Sequence, residues 1–187
     1  MEPKNFENLI GTRGFSDILL RNHFSLYNGY VTNTLKLLET LKDKGSIEFA
    51  ELTRRFGWEF NGMRLHELYF GNMSSQSKEI DKTTPIYSKI SQDFGSFENF
   101  EKQFKSIGAM RGIGWAILTY DKETKRLFNT WINEHNTGHL ATAVPLLVMD
   151  VFEHSFITDY GLKKTDYIEN FFKVINWEVV SERFESV

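Results

Sequence analysis

Val144-Pro145-Leu146-Leu147-Val148-Met149, followed at once by Asp150-Val151-Phe152-Glu153-His154, is the point at which this chain changes character. The first part is a short apolar run between polar segments, which predicts a buried β-strand from Val144 to Met149. The second places an acid and an imidazole four residues apart, so both lie on one face of a helical turn at the end of that strand. A rigid strand end can aim two such side chains at a hard or borderline cation. The competing reading is structural, with Asp150 capping a helix start and His154 a satisfied core or interface histidine.

Upstream, Trp115–Tyr120 and Leu127–Ile132 flank the charged turn Asp121-Lys122-Glu123-Thr124-Lys125-Arg126, which predicts a hairpin. Ser96 ahead of Phe97–Ile107 predicts a capped amphipathic helix. Downstream, Thr165–Ile175 and Glu178–Phe184 carry helical periodicity. The polar run Gly71–Pro85, rich in serine and ending in proline, is the expected boundary between residues 1–85 and 86–187. Before it the pattern is helical: Phe15 to Leu41 behind a Ser16 cap, with Lys42–Gly45 as the stop, then Ser46–Phe56, then Asn61–Phe70. Helices, a further helix, three strands and closing helices make an α+β chain, its first half a helical hairpin or small bundle.

Composition narrows the chemistry. The 187 residues contain no cysteine, which removes disulfides, thiolate catalysis and every cysteine-based metal site. Nitrogen ligation rests on His23, His66, His135, His139 and His154. A net charge of −3 gives no electrostatic reason to expect nucleic acid or an anionic membrane surface. The longest apolar run falls far short of the roughly 20 residues that cross a bilayer. Met1-Glu2-Pro3-Lys4-Asn5-Phe6 has the bias of neither a secretory signal nor a transit peptide, so a cytoplasmic protein is expected.

Two further imidazoles stand in suggestive places. His66, within Leu65-His66-Glu67-Leu68-Tyr69-Phe70, has apolar neighbours that would keep its ring neutral, the form that ligates metal. A core histidine bonded to a backbone carbonyl is the alternative. His23, Tyr27 and Tyr30 fall at i, i+4 and i+7, a single stripe on the first helix, and such stripes also serve as core. Two histidines from the helical half with Asp150 and His154 from the other make a three-nitrogen, one-oxygen set. Such a set suits iron, manganese or zinc.

With these residues in view, the chain resembles the iron/manganese superoxide dismutases over nearly its whole length, most strongly from Gly95 to Phe184. Asp150-Val151-Phe152-Glu153-His154 looks like that family's Asp-x-Trp-Glu-His signature, with Phe152 where tryptophan is usual. Gly112-Ile113-Gly114-Trp115 is similar to its Gly-x-Gly-Trp segment, and Tyr160 fits the tyrosine after the signature. Asp166-Tyr167 and Val174-Ile175-Asn176-Trp177-Glu178 match its C-terminal pattern.

The resemblance implies an N-terminal helical hairpin packed on a C-terminal α/β domain, whose three-stranded antiparallel sheet is flanked by helices, with the metal site between them. It implies one Fe or Mn ion per subunit on His23, His66, Asp150 and His154, with solvent as fifth ligand. Tyr30 is then the gateway tyrosine and Trp115 a wall of the pocket. His135 is the residue bonding the metal-bound solvent, with His139 and Glu134 as alternatives. The substrate is superoxide, and the assembly a homodimer or tetramer in which Glu153 reaches His154 of a second subunit. Arg64 and Lys164 are candidates for steering the anion. The family's first histidine normally stands eight residues before the tyrosine, whereas His23 and Tyr30 are seven apart; a strict register selects Asn22, a poor ligand. The family's histidine pair in between is replaced here by Leu26 and Tyr27, and Ile157 stands where an interface tyrosine is common. Rival expectations are a metal-free relative with a binding role and a mononuclear iron enzyme of another reaction class.

Overall fold

A computed structural model describes residues 2–42 and 46–187. The first helix, α1 (Asp17–Thr40), starts where its cap predicts: Ser16 is extended and its hydroxyl accepts from the Leu19 N–H at 3.1 Å. Its buried stripe includes Leu19, Leu20, His23, Phe24, Tyr27, Tyr30, Val31 and Thr34. The glycine stop expected at Gly45 lies outside the described residues.

The second helix, α2 (Ser46–Gly71), is continuous, where the sequence predicts two pieces broken near Gly57. A helical glycine costs about 1 kcal/mol relative to alanine. Packing of α2 on α1 and the sheet, through Met63, His66, Tyr69 and Phe70, outweighs that cost.

Beyond the hairpin, α3 (Pro85–Phe94) is a helix not anticipated in the sequence reading, although Thr84 caps it and Pro85 occupies its first turn. Then follow α4 (Phe97–Ala109), β1 (Gly114–Asp121), β2 (Arg126–Asn133) and β3 (Val144–Asp150). Short α5 (Ile157–Tyr160), then α6 (Lys164–Phe172) and α7 (Trp177–Glu185), close the chain. The sheet has order β2-β1-β3 and is antiparallel throughout. The fold is therefore α+β, N-terminal helices on a three-stranded antiparallel sheet flanked by helices.

Register is what brings chemistry together. Trp115 pairs with Asp150 across β1 and β3, and Gly114 pairs with Asn133 across β1 and β2, so Trp115, Asp150 and the residues after Asn133 share one end of the sheet. Gly114 is obligatory there: its φ is +153° and a Cβ would stand 2.0 Å from the Ile132 carbonyl oxygen.

The edge of β3 is tied to the hairpin by Asn72, just past α2. Its buried amide donates to the Val148 carbonyl at 3.1 Å and accepts from the Val148 N–H at 2.9 Å, pairing with the strand as a backbone would. Arg183 adds a bond to the Leu146 carbonyl at 2.7 Å. Phe100 and Phe104 of α4 and Tyr167 and Phe171 of α6 add to the core, the last two against Tyr69 of α2. Thus α2 and β3, each carrying a predicted ligand, are locked to one another.

Candidate metal centre

Four predicted side chains meet at the junction of hairpin and sheet. His23 comes from the first third of α1, His66 from the last third of α2, Asp150 from the end of β3, and His154 from the one-turn 3-10 helix Glu153–Ser155. One ligand atom from each lies within 4.8 Å of all the others. His23, His66 and Asp150 have no exposed side-chain surface, and the His154 side chain is 28% exposed. Asn22, the other candidate in register, faces solvent.

The nitrogens converge on one carboxylate oxygen. Asp150 Oδ2 is 3.2 Å from His23 Nε2, 3.1 Å from His154 Nε2 and 3.5 Å from His66 Nε2. Such separations suit atoms sharing one ion at bond lengths of about 2.0–2.2 Å. Asp150 Oδ1 accepts from the Phe152 N–H at 2.8 Å, so the carboxylate also turns the chain out of β3, as the capping alternative anticipates in part. The Tyr167 hydroxyl donates to the Asp150 carbonyl at 2.5 Å and holds this residue's backbone.

The tautomers follow from the bonds. His66 Nδ1–H donates to the Gly62 carbonyl at 2.6 Å, which leaves the Nε2 lone pair facing the cluster. That Nε2 is buried and has no hydrogen-bond partner. An orphaned buried nitrogen is costly unless something else occupies its lone pair. Burial lowers the basicity of His66, and the neighbouring His23 adds to the effect. His23 is lowered too, chiefly by burial against the opposing pull of Asp150. Burial works to raise Asp150, but His154 and His23 outweigh it and hold the carboxyl well below its ordinary range. Neutral His23 and His66 beside an ionised carboxylate are in the donor state a transition-metal ion requires, and the residues present fit one.

Beside the cluster lies a second network. Trp115 Nε1 donates to His135 Nδ1 at 3.1 Å, and His135 Nε2 is 2.7 Å from Tyr30 Oη. An indole N–H can only donate, so Nδ1 is the acceptor and the ring proton sits on Nε2, donating to Tyr30. The Tyr30 hydroxyl hydrogen is left for the pocket. Its ring stacks on His66 with centroids 5.1 Å apart. Burial, with the charge of Asp150, raises the Tyr30 phenol, and burial pushes His135 down to about 4. A Cβ on Gly62 would come within 2.6 Å of the Tyr30 ring, so the bare glycine makes room for it.

The remaining candidates are placed elsewhere. His139 bonds the His135 carbonyl at 2.9 Å rather than entering the pocket. Arg64 pairs with Glu67 at 2.7 Å and lies over Phe60, while Lys164 donates to the Met110 carbonyl at 2.6 Å. Phe152 stacks on both His135 and His154, at 4.8 and 5.1 Å. Trp58 escaped the sequence reading because it falls in the expected break of α2, yet its ring packs 4.5 Å from that of His135. The signal for it is the i, i+4, i+8 spacing of Trp58, Gly62 and His66, one slowly drifting helical face. Among the described residues no helix is long and apolar enough to cross a membrane.

A helical pair and a three-stranded sheet sharing a buried three-imidazole, one-carboxylate pocket define a mononuclear metalloprotein of the thiolate-free class. The family model for the iron/manganese superoxide dismutase C-terminal domain matches residues 82–183. The chain is 34% identical to an iron superoxide dismutase of Aquifex pyrophilus, over 99% of this chain and 91% of that protein. It is 31% identical to an iron superoxide dismutase of Methanothermobacter thermautotrophicus, over 89% and 82% of the respective chains. It is 32% identical to manganese superoxide dismutase 2 of Haloferax volcanii, over 90% and 85%. The chain belongs to the iron/manganese superoxide dismutase family, oxidoreductases that use one iron or manganese ion to convert superoxide to dioxygen and hydrogen peroxide.

Proposed function

We propose that His23, His66, Asp150 and His154 hold the ion, and that Tyr30, His135 and Trp115 serve its reaction. The observation that carries this reading is the convergence of three imidazole nitrogens on one Asp150 oxygen, with His66 Nε2 buried and otherwise unpartnered. Residues 1–85 and 86–187 form the two lobes, each supplying two ligands.

Two superoxide anions and two protons give one dioxygen and one hydrogen peroxide. When bound, the ion supplies the electron exchange, alternately accepting an electron from one superoxide and giving one to the next. The chain supplies the rest. Asp150 offsets cationic charge in a site from which water is largely excluded. The Tyr30 hydroxyl, kept protonated at neutral pH by burial, faces the pocket as a proton donor. His135 holds Tyr30 by its Nε2–H, while Trp115 occupies Nδ1 and keeps the imidazole in that tautomer. Because burial keeps His135 neutral, it orients the phenol without adding charge.

The proposed assembly is a homodimer, with a tetramer as the alternative outcome. Glu153 is exposed, and its carboxylate has no partner among the described residues. It sits next to the partly exposed His154 and close to the exposed Ile157, a surface suited to a second copy. The cytoplasm is the proposed compartment of this cysteine-free chain.

The test is reconstitution with iron and with manganese separately, for the parent and for His66→Ala. The parent should bind one ion per subunit and consume superoxide with at least one metal; the variant should do neither. A variant as active as the parent would sink the ligand assignment. Sedimentation of the loaded protein checks the assembly, and a monomer at all concentrations would overturn the dimer.

A further inference from the structure

We infer that Trp58 is a positioning residue for the pair Tyr30 and His135, held over them by a side-chain bond from Glu134 across the two lobes. The inference rests on the roles given above to Tyr30 and His135. Trp58 lies on α2, and its ring meets His135 edge to face at 4.5 Å and Tyr30 at 5.6 Å. Its indole N–H donates to Glu134 Oε2 at 3.1 Å, joining residues 76 apart in sequence. The guanidinium of Arg55 lies 4.7 Å over the same ring and is itself anchored on the buried Glu59.

The other restraints on the His135 ring lie inside the pocket. Trp115 and Tyr30 take its two nitrogens, and Phe152 stacks on its ring at 22°. Trp58 differs, because its own place depends on an acceptor at the protein surface.

The backbone of Glu134 is a second, independent observation. Its φ is +51°, in the left-handed region that glycine and asparagine tolerate and that L-residues with longer side chains seldom occupy. The turn is stabilised by the Glu134 N–H donating to the Ile113 carbonyl at 3.1 Å. Leaving β2 in this conformation, consecutive residues engage the hairpin, Glu134 through Trp58 and His135 through Tyr30. A glutamate kept where its backbone is disfavoured is explained by what its carboxylate holds.

The test uses loaded parent, Trp58→Phe, Glu134→Ala, Glu134→Gln and the Trp58→Phe/Glu134→Ala double variant, each checked for metal content. Phenylalanine keeps an aromatic ring and removes the N–H; glutamine keeps an acceptor oxygen and removes the charge. Trp58→Phe and Glu134→Ala should each lower kcat about fivefold, the worth of one ordinary hydrogen bond, with kcat/KM and metal content at the parent level. The double variant should be no worse than either single one, because both remove the same bond. Glu134→Gln should restore kcat. Crystal structures provide a readout besides activity: in Trp58→Phe and Glu134→Ala the His135 imidazole should move away from Tyr30, and in Glu134→Gln it should stay.

An unmoved His135 with parent kcat in Glu134→Ala would overturn the inference. Independent, multiplying losses in the double variant would also overturn it, as would a Glu134→Gln protein as impaired as Glu134→Ala. If Trp58→Phe fails to fold, the two Glu134 variants carry the test alone. An inactive parent in which His135 still shifts on Glu134→Ala would refute the catalytic reading while supporting the positioning one.

Discussion

The ligand side and the mouth of the pocket are built from different forces. On the ligand side, His23, His66 and Asp150 are buried, and backbone-directed bonds from His66 to Gly62 and from Tyr167 to Asp150 fix the last two, with His23 packed against them. At the mouth, the His135 and Tyr30 side chains are held by other side chains, among them Trp115, Phe152 and Trp58, the last anchored on exposed Glu134. Backbone-anchored groups can hold an ion rigidly, whereas a network of side chains can rearrange by small amounts as protons move. Under the roles proposed above, the ligand side would set affinity for the ion and the mouth would set rate.

The largest expected effect breaks the ligand side. His66→Ala should abolish stable binding of iron or manganese and reduce superoxide consumption to background, read by elemental analysis and a direct superoxide assay. Next, His135→Ala should keep the ion and lose about a hundredfold in turnover, at the low end for a group in proton handling. If it loses the ion instead, the division between affinity and rate fails.

A pH effect sharpens the same division. His135 titrates near 6.5 when unfolded and at about 4 in the fold, because burial disfavours its cation. The unfolded chain therefore binds the proton first. The contribution of His135 to stability is whole above pH 6.5 and falls as pH drops toward 4, by up to about 3 kcal/mol. Denaturation of the metal-free protein across this window should show a steeper pH dependence for the parent than for His135→Gln. Equal slopes would mean that the imidazole is wetter than its burial implies.

A smaller change tests how closely the two sides fit. Gly62→Ala would push a methyl into the Tyr30 ring and should cost about 1–3 kcal/mol by overpacking, with unfolding measured by denaturant. Smallest is Asp159→Ala. It removes bonds at 2.7 and 2.6 Å to Ser16, the cap of α1, on an exposed surface, so a loss of about 1 kcal/mol is expected without change in metal content.

Legibility in the sequence follows the same divide. Ser16, the stripe of α1, the hairpin turn Asp121–Arg126 and the apolar run of β3 are local signals, and each element formed where its signal stands. Two signals misled or were missed. Gly57 reads as a break but sits inside α2, because packing on α1 and the sheet outweighs its intrinsic cost. Thr84-Pro85 is a good helix start inside a polar run that reads as linker, and α3 begins there.

For the site, Asp150 and His154 are four apart on one strand end, and His66 and His23 each carry a local apolar or aromatic context. Trp58 carries only its spacing from Gly62 and His66, and Glu134 has no local signal, so their pairing shows only when α2 meets the loop after β2.

Residue spacing alone determined the strands, the donor types available to a metal and the helices other than α3 and the unbroken run of α2, because those depend on neighbours within a few turns of chain. Register and packing decided the rest. Pairing of Trp115 with Asp150, and of Gly114 with Asn133, brings His135 beside Tyr30. That contact spans 105 positions of chain, and only the closing of hairpin on sheet makes it short.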